Sequence, residues 1–114
     1  MSNLNCELYV YKGCDNDYIL DVEKDGVPFP VDTASAIKFC LHDNNRQSSP
    51  IVDKVCLTNP LWASAQVPVL LDAADCVNIE FGVKYIGTLF ITIGGRTNPY
   101  PVDAVFIGDV RAIV

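Results

Sequence analysis

Residues 83–114 read VKYIGTLFITI, then GGRTNPYP, then VDAVFIGDVRAIV, and this stretch decides the fold. Val83–Ile93 and Val102–Val114 are long apolar segments rich in β-branched and aromatic side chains, the composition of strands. Between them, the glycines, Asn98-Pro99 and Pro101 mark a broad hairpin loop. If Val83, Tyr85, Leu89, Ile91 and Ile93 face a core, strand alternation turns Ile86 and Phe90 outward beside Thr88 and Thr92. On the last strand Phe106, Val110 and Val114 take one face and Val105, Ile107 and Ile113 the other, with Gly108 as the expected site of a bulge. The hairpin therefore presents Ile86, Phe90, Val105 and Ile107 together on its outer side. A contiguous outward apolar patch is usually an interaction surface. Two covers are open: a partner, or the proline-bearing segment Val27–Val31 and loops of the chain itself.

Upstream, Gly and Pro punctuate the chain at strand-and-turn spacing, with no repeat or linker. Alternation in residues 5–11 puts Cys6, Leu8 and Val10 on one face, and in residues 17–23 it does the same for Tyr18, Leu20 and Val22. Asp25-Gly26 is a turn signal, and the two prolines of Val27–Val31 confine that piece to an edge or a connection. Ile37, Phe39 and Leu41 mark a third strand that runs into a polar loop over residues 43–50, and residues 51–57 form a fourth. Alternation over 61–69 gives a fifth strand with Trp62 on its more polar face. A single short helical turn is expected near residues 71–76, with Asp72 as its cap. About seven antiparallel strands with turns every 8–12 residues and no useful amphipathic helix describe an all-β sandwich, with a small barrel or OB-like fold as alternatives. At 114 residues and 50% hydrophobic, residues 1–114 are expected to form one β-sandwich domain.

Composition narrows the chemistry. Eight Lys plus Arg against 14 Asp plus Glu give a net charge of -6 with no basic cluster, so neither nucleic acid nor an anionic membrane is an expected partner. No apolar run approaches the roughly 18 residues of a bilayer span, and the opening MSNLNCELYV lacks the basic and apolar regions of a secretory signal, so cytoplasmic synthesis is expected. The five cysteines show neither C-x-x-C nor zinc spacing and read as free thiols packed as small hydrophobes. The single histidine, His42, reads as a solvated residue at a strand end, since a catalytic pair with Cys40 or Cys56 would need an orienting group that the sequence does not indicate. The acidic groups Asp15/Asp17, Asp21/Glu23/Asp25 and Asp72/Asp75 lack the spacing of a calcium loop, and Gly94-Gly95-Arg96 lacks the ending of a phosphate-binding loop. No enzyme activity, metal or cofactor is expected.

The order of features has a counterpart. Lys12-Gly13 after a first strand, Tyr18-Ile19-Leu20-Asp21-Val22, Asp25-Gly26-Val27-Pro28, Val31-Asp32, Ala36-Ile37-Lys38-Phe39, Leu71-Asp72-Ala73-Ala74-Asp75, Gly82-Val83-Lys84-Tyr85 and the closing Val105–Val110 resemble the immunoglobulin-like domain at the N-terminus of phage baseplate upper proteins. The resemblance spans nearly the whole chain but is a pattern of turns and alternations, not a catalytic motif. It implies an immunoglobulin-like β-sandwich that serves as a virion building block. Baseplate upper proteins continue beyond this domain, whereas this sequence stops at Val114, so the expectation is a small free-standing virion subunit of the tail, baseplate or head. Its partners would be capsid, tail or baseplate subunits, or further copies of itself as a homo-oligomer, with Ile86, Phe90, Val105, Ile107 and Trp62 as contact residues. The alternative is a carbohydrate-binding or adhesion module using Trp62, Asn98 and Tyr100.

Overall fold

The hairpin at the heart of the sequence pattern is the spine of the molecule. The computed structural model describes residues 7–43 and 49–110. Cys6, residues 44–48 of the expected polar loop, Ile113 and Val114 lie outside the described residues. In chain order the strands are β1 (Glu7–Tyr11), β2 (Asn16–Asp21), β3 (Glu23–Lys24), β4 (Val27–Pro28), β5 (Ala36–His42), β6 (Val52–Cys56), β7 (Gln66–Leu71), β8 (Lys84–Ile93) and β9 (Arg96–Asp109). Two 3-10 segments, Pro60–Ser64 and Ala73–Cys76, flank β7. One layer is a five-stranded sheet in the order β1-β9-β8-β5-β6, the other is the β2-β7 pair, and β3-β4 is a small separate hairpin. This is an all-β sandwich.

Strand alternation fills the space between the layers. Ile37, Phe39 and Leu41 of β5, Tyr85, Leu89 and Ile91 of β8, and Val102, Ala104 and Phe106 of β9 meet Leu20 of β2 and Val67, Val69 and Leu71 of β7, all buried in one cluster. Phe106 is fully enclosed; its ring meets Tyr18 edge-on at 5.3 Å and Phe39 at 5.6 Å.

Several expectations are corrected by local chemistry. The hairpin loop is tight rather than broad: Ile93 pairs with Arg96 across Gly94-Gly95, whose φ values of 60° and 80° are those a two-residue primed turn requires. Pro99 and Pro101 lie within β9, which β1 joins only from Val105 onward, so their missing N–H groups fall on an open edge. β1 runs parallel to β9, so the strands are not all antiparallel. Residues 60–64 are a 3-10 turn, not the start of a fifth strand. Asn59 Oδ1 accepts from the Leu61 N–H at 2.9 Å, Pro60 supplies a ready φ, and Ala65 ends the turn in the left-handed region at φ 60°.

Gly108 carries no bulge. The irregularity lies between Ile86 and Thr88, where Val105 and Pro101 are the respective partners, so the shift is even and the faces keep their parity. Gly108 is needed for a different reason: the segment around Glu80 lies directly on it, its N–H donates to Val83 O at 2.9 Å, and a Cβ there would collide with the Glu80 carbonyl. Gly108→Ala should therefore cost about 1–3 kcal/mol or more, because the obstacle is backbone and has no rotamer to yield. Denaturant melts of the variant against wild type measure it.

The open side of the sandwich is held by charge. Lys54 sits on the inner face of the edge strand β6 and reaches Asp72 at 3.1 Å and Asp75 at 2.9 Å. An inward lysine on an edge strand also discourages strand addition. Hydrogen bonding to Asp75 and then Asp72 raises the Lys54 pKa, and the Lys54 hydrogen bond lowers that of Asp75. With Asp75 depressed, its stabilisation is present above the ordinary aspartate range and is lost as pH falls through its folded value. The Lys54 share is present below the ordinary lysine range and is lost in alkali. Lys54→Met should remove up to about 1 kcal/mol at neutral pH and flatten the acid limb of the stability profile, as read by thermal melts across pH.

Candidate functional site

The face of the five-stranded sheet turned away from β2 and β7 is assembled in rows by the strand register. Tyr9, Ile107 and Lys84 make one row, and Glu7, Val105, Ile86 and His42 the next. Pro101, Thr88, Cys40 and Asp53 follow, then Pro99, Phe90, Lys38 and Val55. The register thus brings Ile86, Phe90, Val105 and Ile107 onto one face, each half-buried by its row neighbours. No described strand or helix forms a layer over this face. The segment considered as its cover packs on the opposite side: Val31 is in the core, and Phe29 stacks on Tyr100, the inward-facing partner of Leu89, at 5.7 Å.

A groove of about 450 Å³ crosses the β8-β5-β6 part of the face, with Lys38, Cys40, His42, Pro50, Val55 and Phe90 in its walls. Lys38 and Asp53 pair across it at 3.3 Å, both about half exposed, so the contact contributes little energy but cancels the local charge. On the opposite flank, Tyr9 is 48% exposed and stacks against Tyr11 at 6.5 Å.

Trp62 is not on this face. It lies in the first 3-10 turn and is 2% exposed within the core, its backbone O accepting from Val31 N at 2.9 Å, which corrects its expected role as a surface anchor. The signal that would have placed it is the Asn59-Pro60 pair, a cap followed by proline, which outranks alternation in a short window.

His42, expected in solvent, is 8% exposed at the end of β5, its Nδ1 enclosed without a hydrogen-bond partner. Cys40 lies on the same face with its thiol pushed up to about 11, first by burial and then by Asp53. A thiol so placed is almost wholly protonated near neutrality and is a poor nucleophile. Cys56 is likewise pushed up to about 11, chiefly by burial, and the described cysteines are all free thiols. Among the acidic pairs considered for calcium, Asp72 and Asp75 are held by Lys54, and Asp15 accepts from the Ala73 N–H at 2.8 Å. Iodoacetamide at neutral pH should leave Cys40 and Cys56 unmodified in the folded protein and alkylate both after denaturation; peptide mass mapping distinguishes the two states.

No family model matches the sequence, and no curated protein matches it. Among solved structures, the chain shares its fold with the N-terminal domain of phage TP901-1 ORF48, with a TM-score of 0.51, 11% identity, and coverage of 91% of this chain and 83% of that one.

Proposed function

We propose that this protein is a non-enzymatic structural subunit of a phage virion, docking through the outer face of its five-stranded sheet onto a neighbouring subunit, either another virion protein of the capsid, tail or baseplate or a further copy of this chain. The observation that carries the reading is the uncovered apolar row Ile86, Phe90, Val105 and Ile107, set in a sheet that is rigid because its other face is the core. Two further lines support the phage assignment: the sequence resemblance to the N-terminal domain of baseplate upper proteins, and a fold shared with a phage domain across most of both chains. The mechanism is surface complementarity. Burying apolar area is favourable by roughly 25 cal/mol per Å², and repetition on a symmetric particle multiplies a weak single contact into avidity.

The arrangement of reactive groups supports a non-catalytic role. The Cys40 thiol is raised, His42 is enclosed, and Lys38 and Lys54 are paired with carboxylates. The carbohydrate-binding alternative loses its aromatic platform, because Trp62 is enclosed and one face of Tyr100 is occupied by Phe29.

Mass spectrometry of purified virions, fractionated into heads and tails, should find the chain in one fraction. Phe90→Asp should keep the folded circular dichroism spectrum and lose at least tenfold in co-sedimentation with particles. A variant that co-sediments like wild type would remove the face from the docking role.

A further inference from the structure

We propose that the occupant of the outer sheet face is a second copy of this chain, the two sheets packing face to face about a two-fold axis running close to β8. The proposal rests on the reading of that face as a docking surface and names its partner.

Charge is the first argument. The chain carries a net charge of -6, so two copies repel wherever the acidic excess meets itself. That excess is concentrated on the β2-β3-β4 side, where Asp17, Asp21, Glu23 and Asp25 are all exposed. On the outer face, the described charged side chains are Lys38 and Lys84 against Glu7, Asp53 and Asp109, and Lys38 and Asp53 already pair. This face is close to neutral, and a copy of itself can approach without the penalty it would meet on the acidic side.

Area is the second. Five strands at a spacing of about 4.8 Å, from five to fourteen residues long at a rise of about 3.4 Å per residue, give a face on the order of 700 Å². That is about what each partner contributes to a stable interface of standard size.

Shape is the third. β8 is the middle strand of the five; the exposed ring of Tyr9 stands on the β1 flank, and the groove lies on the β5-β6 flank. A two-fold axis along β8 exchanges the flanks without shifting them along the strands, so each copy's β1 edge is carried over its partner's β5-β6 flank, twice over. Such an isologous pair closes on itself without growing into a fibre.

The test is sedimentation equilibrium of the full chain over a wide concentration range. Wild type should sediment at twice the protomer mass. Tyr9→Ala and Val55→Glu change exposed side chains on opposite flanks, so both should fold, and each should raise the dimer dissociation constant at least tenfold; Ile19→Glu, 61% exposed on β2 in the opposite layer, should leave it unchanged. A wild-type chain that stays monomeric at millimolar concentration overturns the proposal, as does a dimer indifferent to both flank variants. If the chain is monomeric and Phe90→Asp still abolishes particle binding, self-pairing fails while docking on another virion protein stands. If the dimer forms as described but the chain is absent from virions, self-pairing stands and the virion assignment fails.

Discussion

The structure depends on the seating of Phe106 against Gly87. The ring of Phe106 occupies the space where any side chain at position 87 would lie, a Cβ there falling 2.6 Å from its Cε1. From that seat it touches Phe39 of the same sheet and Tyr18 of the opposite layer, so one side chain joins β9, β8, β5 and β2. Such edge-to-face pairs add about 0.5–1.5 kcal/mol beyond the area they bury. The register shift lies opposite the same glycine. β9 spends Val102–Ala104 where β8 spends one glycine, and because the difference is even, every residue beyond it keeps its face. The outer row therefore continues from Pro99 and Pro101 to Val105 and Ile107 without changing face.

Strand parity was legible because it is a local property with a period of two. Ile37, Phe39, Leu41, Leu89 and Ile91 are inward, and Ile86, Phe90, Val105 and Ile107 are outward, as alternation alone requires. What was not legible is tertiary or was masked by a competing local rule. Residues 61–69 alternate well enough to read as a strand, yet the first part obeys the Asn59-Pro60 cap, and Trp62 moves from a supposed surface into the core. Gly108 resembles a bulge glycine in sequence; its role, making room for the Glu80 backbone, arises from a segment distant in sequence. His42 sits beside Asp43 at the start of a polar stretch, and only the pairing of β5 with both β6 and β8 explains why it is enclosed.

The unequal layers explain why an apolar face is left outward at all. Two strands, β2 and β7, face a sheet of five, and the ends of the inner surface are closed by short pieces: Trp62 and Phe29 at one end, Ile79 and Cys76 at the other. The core uses up the chain's irregular segments on the inner side, and no described element is left to form a layer over the outer one. Its apolar residues are tolerable in a free protomer because neighbouring rows half-bury one another, small Cys40 and Thr88 lying between larger side chains.

Charge segregation follows from the same division of labour. An acidic surplus spread evenly would oppose any association, whereas a surplus placed on the β2-β4 side leaves the large sheet face nearly neutral. Edges are managed separately: the inward Lys54 on β6 and the prolines of β9 make edge-on strand addition unfavourable. With edges discouraged and the acidic side repulsive, the flat face is where the proposed association would be made, by side chains held in register by the core beneath them. A rigid sheet loses little conformational entropy on docking, so apolar burial there converts to affinity more fully than it would on loops.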